Sequence, residues 1–538
     1  MKKPSLSVSI PRISASTQAE IQDRILEHRL NRVVVAACTP KTHEPIFQET
    51  VANVGLNPYL LEMVNIRDQC SWVHINDPEK ATEKAKDLIR MAVAKVRLAE
   101  PLEMRKLNID HDVLVIGGGI AGMQTAIDLA NRGANVHLVE REDALGGRVS
   151  RLTTLYPSYG SGAELIHKKR AELEKSNVTV YTKTEIEGVT GFVGNFDVQL
   201  ATETLSGEKP EPLRIGAIVV ATGANLYEPD KDEFGYRKYR NVFTNEEFEQ
   251  FFHADQSLIA DGKPVKTVAF IQCVGSRGDR GNPGCSRYCC QAAIKQAIAL
   301  RNKGINVVIL HRDVRVYSRG AEEMYREARR LGVLFVPYEK QKPPRLSGKK
   351  RVETIRVHHP RAKEDLEFDI DAVVLSLGMV PKEQENAYLI GLLKLQRSSD
   401  RFLMERHPKL GPVETSMEGI FLCGCVQGPK DIADSIAQAS AVAAKVAAQL
   451  SEDTITLEPI VSTVNSLYCR ACGKCVDVCE YHALEIHEDE TGRRIVHVNE
   501  ALCKGCGTCA AVCPTGAIDV RHFKEEQINA ELEALLME

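Results

Sequence analysis

Sixteen cysteines govern the chemistry of this 538-residue sequence. Cys469, Cys472, Cys475 and Cys479 follow the spacing C-x2-C-x2-C-x3-C, and Cys503, Cys506, Cys509 and Cys513 repeat it and close on Pro514. Thiolates are soft ligands, and four of them suit the irons of an iron–sulfur cube. The short spacings wrap three thiolates around one cube, while the fourth cysteine of each run crosses to the other. The repeat therefore predicts one [4Fe–4S] cluster on Cys469, Cys472, Cys475 and Cys513. It predicts a second on Cys503, Cys506, Cys509 and Cys479. Two zinc sites would be the competing use of eight cysteines, but this spacing is wrong for zinc ribbons. A third group, Cys273, Cys285, Cys289 and Cys290, lies within 18 residues and predicts a further cluster. Its alternative is a reactive thiol pair or a flavin-linked disulfide, although adjacent cysteines rarely close an unstrained bridge.

A second signal is Gly117-x-Gly119-x-x-Gly122, placed between the apolar run DVLVIG and a helical pattern. Gly117 permits the tight turn, Gly119 lets backbone approach a pyrophosphate, and Gly122 permits close helix packing. The first residues of the helix, Ile120 and Ala121, face the phosphates. Glu140 closes the next strand, where its carboxylate can accept hydrogen bonds from ribose hydroxyls, with Arg141 beside it. These features specify a dinucleotide without choosing between FAD and NAD.

Several α/β layers must position these groups. The length exceeds one core, and the composition, 43% hydrophobic and 26% charged, is that of folded protein. A net charge of -4 offers no broad basic field for nucleic acid. No apolar run reaches a membrane span, and the start lacks the apolar core of a secretory signal, so cytoplasmic localisation is expected. Residues 1–17 read as a loose arm. Strands are expected at 31–38, 59–66, 111–117, 135–140, 215–223, 265–273, 305–311 and 370–378. Helices are expected from about 43, at 78–100, from 120 and at about 288–303, and 417–450 reads as a final unit. The basic run 340–351 reads as a solvated hairpin tip, and 451–465 as a linker. Ile528, Leu532, Leu535 and Leu536 share a helical face, suited to packing on the neighbouring cysteine-rich segment or to docking a partner.

The cysteine repeat resembles the bacterial two-cluster ferredoxin over about 60 residues, with Glu480 where proline is usual. The stretches Leu145–Arg148 (LGGR), Ala221–Gly223 (ATG) and 419–424 (GIFLCG) resemble the FAD-contact motifs of the two-dinucleotide-domain flavoproteins, similar to thioredoxin reductase. That resemblance selects FAD, with Gly147, Arg148, Ala221, Thr222, Gly223, Gly424 and Cys425 as further contacts. Cys425 stands where an aspartate is common. The second block of such proteins binds NAD(P)H through its own GxGxxG, which is missing here.

Together, VVVAACTPKTHEP (33–45), CSWVH (70–74), VLVIGGGIAGM (113–123), QCVGSR…CSRYCC (272–290), GPKDI (428–432) and the terminal repeat resemble the family of heterodisulfide reductase A subunits. The resemblance implies an oxidoreductase component with FAD and several [4Fe–4S] clusters that passes electrons between partner subunits, with bifurcation at the flavin. Heterodisulfide-reductase-like B and C subunits, hydrogenase or dehydrogenase modules and ferredoxin are the implied partners. It also implies that Lys295, five residues after the paired cysteines, lies by the reactive flavin ring, where a cation would stabilise negative charge. Some members insert an extra ferredoxin domain, but residues 149–220 contain no cysteine. Cys38 and Cys70 are either half of a further cluster or two buried structural cysteines.

The expected fold class is α/β: a two-dinucleotide-binding-domain flavoprotein core, a small N-terminal α/β unit and a C-terminal two-[4Fe–4S] ferredoxin domain. The expected boundaries are 1–108 for the N-terminal unit, 109–262 and 383–455 for the FAD-binding domain, and 263–382 for a degenerate NAD(P)-like domain carrying cysteines. The ferredoxin domain is expected at 456–524 and a terminal helix at 525–538. The alternative function is a stand-alone NAD(P)H-dependent flavin disulfide or ferredoxin reductase.

Overall fold

The computed structural model describes residues 8–9, 15–202, 211–252, 259–260, 262–489 and 491–537. The chain forms two units, and one of them is assembled from both chain ends: Met1–Leu107 with Thr454–Glu538, and Asn108–Asp453 between them.

The end-built unit begins with a parallel sheet, β1 (Val8–Ser9), β2 (Val33–Ala37) and β3 (Leu61–Asn65), with β2 central. The run VVVAA is apolar on both faces because both are covered. Val33 and Val35 pack on α1 (Ala15–His28) and α2 (Pro40–Ala52), while Val34 and Ala36 pack on α3 (Pro78–Arg97). The arm expected over 1–17 lies outside the described residues except for β1 and the start of α1, both of them regular structure.

The middle unit contains the same layered plan twice. In the first copy β4 (Val113–Ile116), β5 (Val136–Val139), β6 (Val178–Tyr181), β7 (Ala217–Val220) and β13 (Ile420–Leu422) form a parallel sheet in the order β13-β7-β4-β5-β6. One face buries α4 (Ile120–Ala130) and α6 (Ile432–Gln449), and the other buries a three-stranded antiparallel sheet drawn from 184–215. In the second copy β8 (Val242–Thr244), β9 (Thr267–Val274), β10 (Asn306–His311), β11 (Leu334–Pro337) and β12 (Ala372–Leu377) run in the order β8-β12-β9-β10-β11. Here α5 (Cys289–Asn302) covers one face, and an antiparallel sheet drawn from 345–369 covers the other. Its edge strand, Arg345–Ser347, passes through the basic run expected to be a hairpin tip.

The chain then returns to the end-built unit. Strand β14 (Ser462–Val464) pairs with β17 (Ile518–Val520), and β15 (Leu484–Glu488) pairs with β16 (Arg494–Val498). The expected linker is therefore partly strand: β14 belongs to the cysteine-rich fold. Cys469, Cys475 and Cys509 share its core with Leu484, Val496 and Ile518.

The terminal helix α7 (Glu525–Leu536) corrects a further expectation. It packs on α3, not on the ferredoxin segment, and Arg90 donates to the Met537 carbonyl at 3.0 Å. Its predicted contact residues remain exposed, Leu536 at 81%. A buried polar seam makes the join instead. Lys95 Nζ lies 2.9 Å from Glu62 Oε1 and 4.1 Å from the Phe523 ring centroid, and His522 Nε2 lies 3.1 Å from Glu62 Oε2. Burial pushes the Glu62 carboxyl up, but the bonds and charges of His522 and Lys95 outweigh it and hold the group below its ordinary 4.5.

Candidate functional site

At the carboxyl end of β4 the chain turns through Gly117, whose φ is +112°, into α4. A side chain is impossible at Gly122, because its Cβ would lie 1.9 Å from the Gly117 carbonyl oxygen. A Cβ at Gly119 would meet nothing within 4 Å, so there the backbone faces open space. That space is a cavity of about 1130 Å³. Gly117, Gly119, Ile120 and Ala121 line it from the loop, and Glu140 and Arg141 from the end of β5. Gly147, Arg148, Ala221, Thr222, Gly223 and Cys425 complete this side. Gly122 and Gly424 stand behind the wall, Gly122 against Gly117 and Gly424 against Ala121.

Glu140 is fixed before any ligand arrives. Its Oε2 accepts from the Gly118 amide at 2.7 Å and its Oε1 from the Glu142 amide at 2.9 Å. Each oxygen keeps a second lone pair for a ribose hydroxyl. The Thr222 hydroxyl is buried without a hydrogen-bond partner at the cavity wall. Lys295, Lys382 and Lys430 also line the cavity, and burial holds each ammonium below its ordinary pKa, with Arg141 adding to the effect at Lys382. A glycine cradle, an unpartnered hydroxyl and partly or fully buried cations all fit a large anionic cofactor such as FAD.

The second sheet supplies the far wall through α5. Tyr288, Ala292, Lys295 and Gln296 recur at helical spacing and face the cavity. Lys295 is 4% exposed, and its Nζ lies 2.8 Å from Glu249 Oε1 and 3.0 Å from Oε2. It also donates to the Thr154 carbonyl at 3.0 Å, while Gln296 donates to Glu249 Oε2 at 2.6 Å. Burial lowers the Lys295 pKa, and the Glu249 charge opposes that shift.

The same helix begins at the paired cysteines. Cys289 and Cys290 are its first residues, and Cys273 is the penultimate residue of β9, where the pairing register slips between Ile271 and Val274. Cys273 adopts φ +65°, which a non-glycine residue holds only at a cost, and the break redirects the strand end beside the site. Cys273, Cys289 and Cys290 are buried and Cys285 is partly exposed. Burial and the neighbouring Cys290 push the Cys273 thiol up to about 11, with Cys285 acting in the same direction. The Cys290 thiol and burial raise Cys289 as well. The Cys290 thiol is instead lowered to about 7, chiefly by its bond with Cys289, and Arg312 and Arg277 favour the Cys273 thiolate, so the group can supply the soft anionic donors that iron takes. The donor set thus fits an iron–sulfur cluster. Among the described residues no three His, Cys, Asp or Glu side chains converge on one ion, but a cube spreads its thiolates over several irons.

Elsewhere Cys38 Sγ accepts from Arg67 at 3.5 Å and Cys70 is buried within the turn 67–72. Sequence reasoning missed Glu249, Lys382 and Lys430. Only Lys430, inside GPKDI, carried a signal. Among the described residues no helix is long and apolar enough to cross a membrane.

Known proteins resemble this arrangement. The 4Fe-4S dicluster domain family matches residues 468–517, and the pyridine nucleotide-disulphide oxidoreductase family matches residues 111–271. The A subunit of the H(2):CoB-CoM heterodisulfide,ferredoxin reductase of Methanothermobacter thermautotrophicus is 38% identical over 97% of this chain and 91% of its own length. An iron-sulfur A subunit of the CoB--CoM heterodisulfide reductase of Methanopyrus kandleri is 39% identical over 96% of this chain and 91% of its own. Among solved structures, the thioredoxin reductase of Lactococcus lactis matches 64% of this chain and 99% of its own, at 20% identity and a TM-score of 0.44.

Proposed function

The chain belongs to the family of heterodisulfide reductase A subunits, and we propose that it joins partner redox subunits through one flavin and three iron–sulfur clusters. It is an oxidoreductase component that carries FAD and [4Fe–4S] clusters and transfers electrons. Bound FAD takes up two electrons together and releases them singly, the chemistry that bifurcation requires.

The residues divide the remaining work. The Gly117–Gly122 loop and the start of α4 hold the pyrophosphate, and Glu140 the ribose. Lys295, buried and paired with Glu249, places an ammonium at the cavity wall. Cys273, Cys285, Cys289 and Cys290 hold the cluster of the second sheet, and the eight cysteines of the repeat hold two more. The observation that carries this reading is α5, whose first turn bears two cluster cysteines and whose next two turns line the flavin cavity. A cluster held there would exchange single electrons with a flavin bound in the cavity that α5 lines.

Heterodisulfide-reductase-like B and C subunits, hydrogenase or dehydrogenase modules and ferredoxin are the proposed partners. A cytoplasmic setting suits sixteen unpaired cysteines. The alternative of a stand-alone NAD(P)H-dependent reductase is set aside, because relatives across nearly the whole chain are subunits of heterodisulfide reductases.

Native purification with flavin and iron counts tests the proposal. One flavin and about three cubes per chain, with redox subunits co-purifying, is the expected result. Iron for two cubes only would remove the central cluster. Rapid bleaching of the isolated chain's flavin by NADH would overturn the relay between subunits.

A further inference from the structure

The two cysteine runs of the ferredoxin segment are near copies, and their backbone contacts match. The Ala483 amide donates to Cys479 Sγ at 3.3 Å, and the Ala517 amide donates to Cys513 Sγ at 3.3 Å. One contact breaks the symmetry. Ser462 Oγ lies 3.1 Å from Cys509 Sγ and 3.8 Å from Cys503 Sγ, and the Ser462 amide donates to Cys503 Sγ at 3.4 Å. At the position of the repeat that corresponds to Ser462 stands Val496, buried against the other cysteines and without a hydroxyl.

We infer that the Ser462 hydroxyl is a hydrogen-bond donor to the Cys509 thiolate and raises the reduction potential of the cluster that Cys503 and Cys509 share. The inference rests on the assignment of two cubes to the eight cysteines. A cluster thiolate can only accept, so beside it the serine hydroxyl can only donate. Adding an electron increases the negative charge on the sulfurs and strengthens that bond, which favours the reduced form. Burial makes the bond count. Ser462 is 2% exposed, so water cannot replace the donor, and its position in β14 opposite Val520 holds the hydroxyl in place. The other hydroxyls near the sulfurs, Thr508 at 3.5 Å from Cys506 Sγ and Thr515 at 3.7 Å from Cys513 Sγ, are exposed and compete with solvent.

Charged neighbours contribute little to the asymmetry. Arg470, Lys474 and Asp477 give the first run the same net charge as Lys504 gives the second, and Glu480 beside Cys479 is the unmatched charge. Glu480 is exposed, so water and salt screen it. The buried Ser462 hydroxyl thus acts on one cluster alone.

A potentiometric titration of the full chain, followed by electron paramagnetic resonance at several potentials, reads this out. Ser462→Ala should leave the iron and flavin counts unchanged. It should lower one ferredoxin midpoint, with a shift of about tenfold in that reduction equilibrium, or about 59 mV for one electron. Ser462→Thr, which keeps the hydroxyl, should return that midpoint toward the native value. Val496→Ser should raise the other midpoint. Midpoints unchanged in Ser462→Ala at full iron content overturn the inference. Should Ser462→Ala lose iron, an unmoved midpoint in Val496→Ser overturns it. A native chain whose eight cysteines hold fewer than two cubes overturns the underlying assignment and the inference together.

Discussion

The two parallel sheets of the middle unit share a layered plan, yet the ends of their central strands do different chemistry. After β4 the chain turns on Gly117 with φ +112° and presents bare backbone to the cavity. Near the end of β9 the strand breaks register at Cys273 with φ +65° and brings its thiol near three others. One strand end is kept free of side chains so that a phosphate can approach backbone amides. The other accepts backbone strain so that a soft ligand points inward. The same scaffold position can thus serve an organic or an inorganic carrier, and a few residues at the strand end decide which.

The strongest way to break this comparison is Gly122→Val. Its Cβ would meet the Gly117 carbonyl at 1.9 Å, so the loop cannot keep its shape. The purified chain should contain no flavin by absorbance and should keep its cluster iron. A variant that binds flavin normally would show that the loop is not the cradle.

Next comes Glu249→Leu, which leaves the Lys295 ammonium buried without its partner. Removing one member of a buried ion pair costs about 3–5 kcal/mol, and thermal unfolding should show it. The double variant Glu249→Leu with Lys295→Met should recover much of the loss. Cys289→Ser sharpens the contrast between the sheets. It should remove about one cube of iron while the flavin stays, and equal loss of both would mean that α5 serves the fold more than the cluster.

Acid provides a control outside the two sheets. The folded pKa of Glu62 is depressed, so its contribution is fully present above pH 4.5 and is lost as pH falls through the lower folded value. Glu62→Gln should therefore destabilise the end-built unit at neutral pH, and the difference from the native chain should vanish in acid. Hydrogen exchange of α7 measures it. The smallest effect is expected for Cys425→Asp, which restores the residue common in related motifs. Flavin affinity should change by no more than about tenfold, or about 1.4 kcal/mol, in an equilibrium titration.

What the sequence made legible was local. Strand, glycine turn and helix at 113–130 follow one another within a few residues, and the cysteine runs carry their own spacing. The central strands of both copies could be placed from apolar runs, whereas the edge strands β6, β8 and β11 could not. The rest depended on contacts between distant segments. Glu249 reaches Lys295 from a short helical turn with no motif, and the register slip at Cys273 has no signature in a continuous apolar strand. Ser462 lay in what read as a linker because a three-residue strand is too short to show a period. The apolar positions of α7 misled for a related reason: they share a face, but the helix meets α3 through Ala534 and backbone carbonyls reached by Arg90.

The polar seam of Glu62, Lys95 and His522 carries a consequence for biosynthesis. The first two of these residues leave the ribosome early, and the third emerges only after the entire flavin-binding unit. Until then the Glu62 and Lys95 side chains lack their final cover, although α1, α2 and α3 already cover both faces of the first sheet. Domains fold as units during translation. The middle unit can therefore mature while its flanks wait, and the iron–sulfur segment closes the structure last.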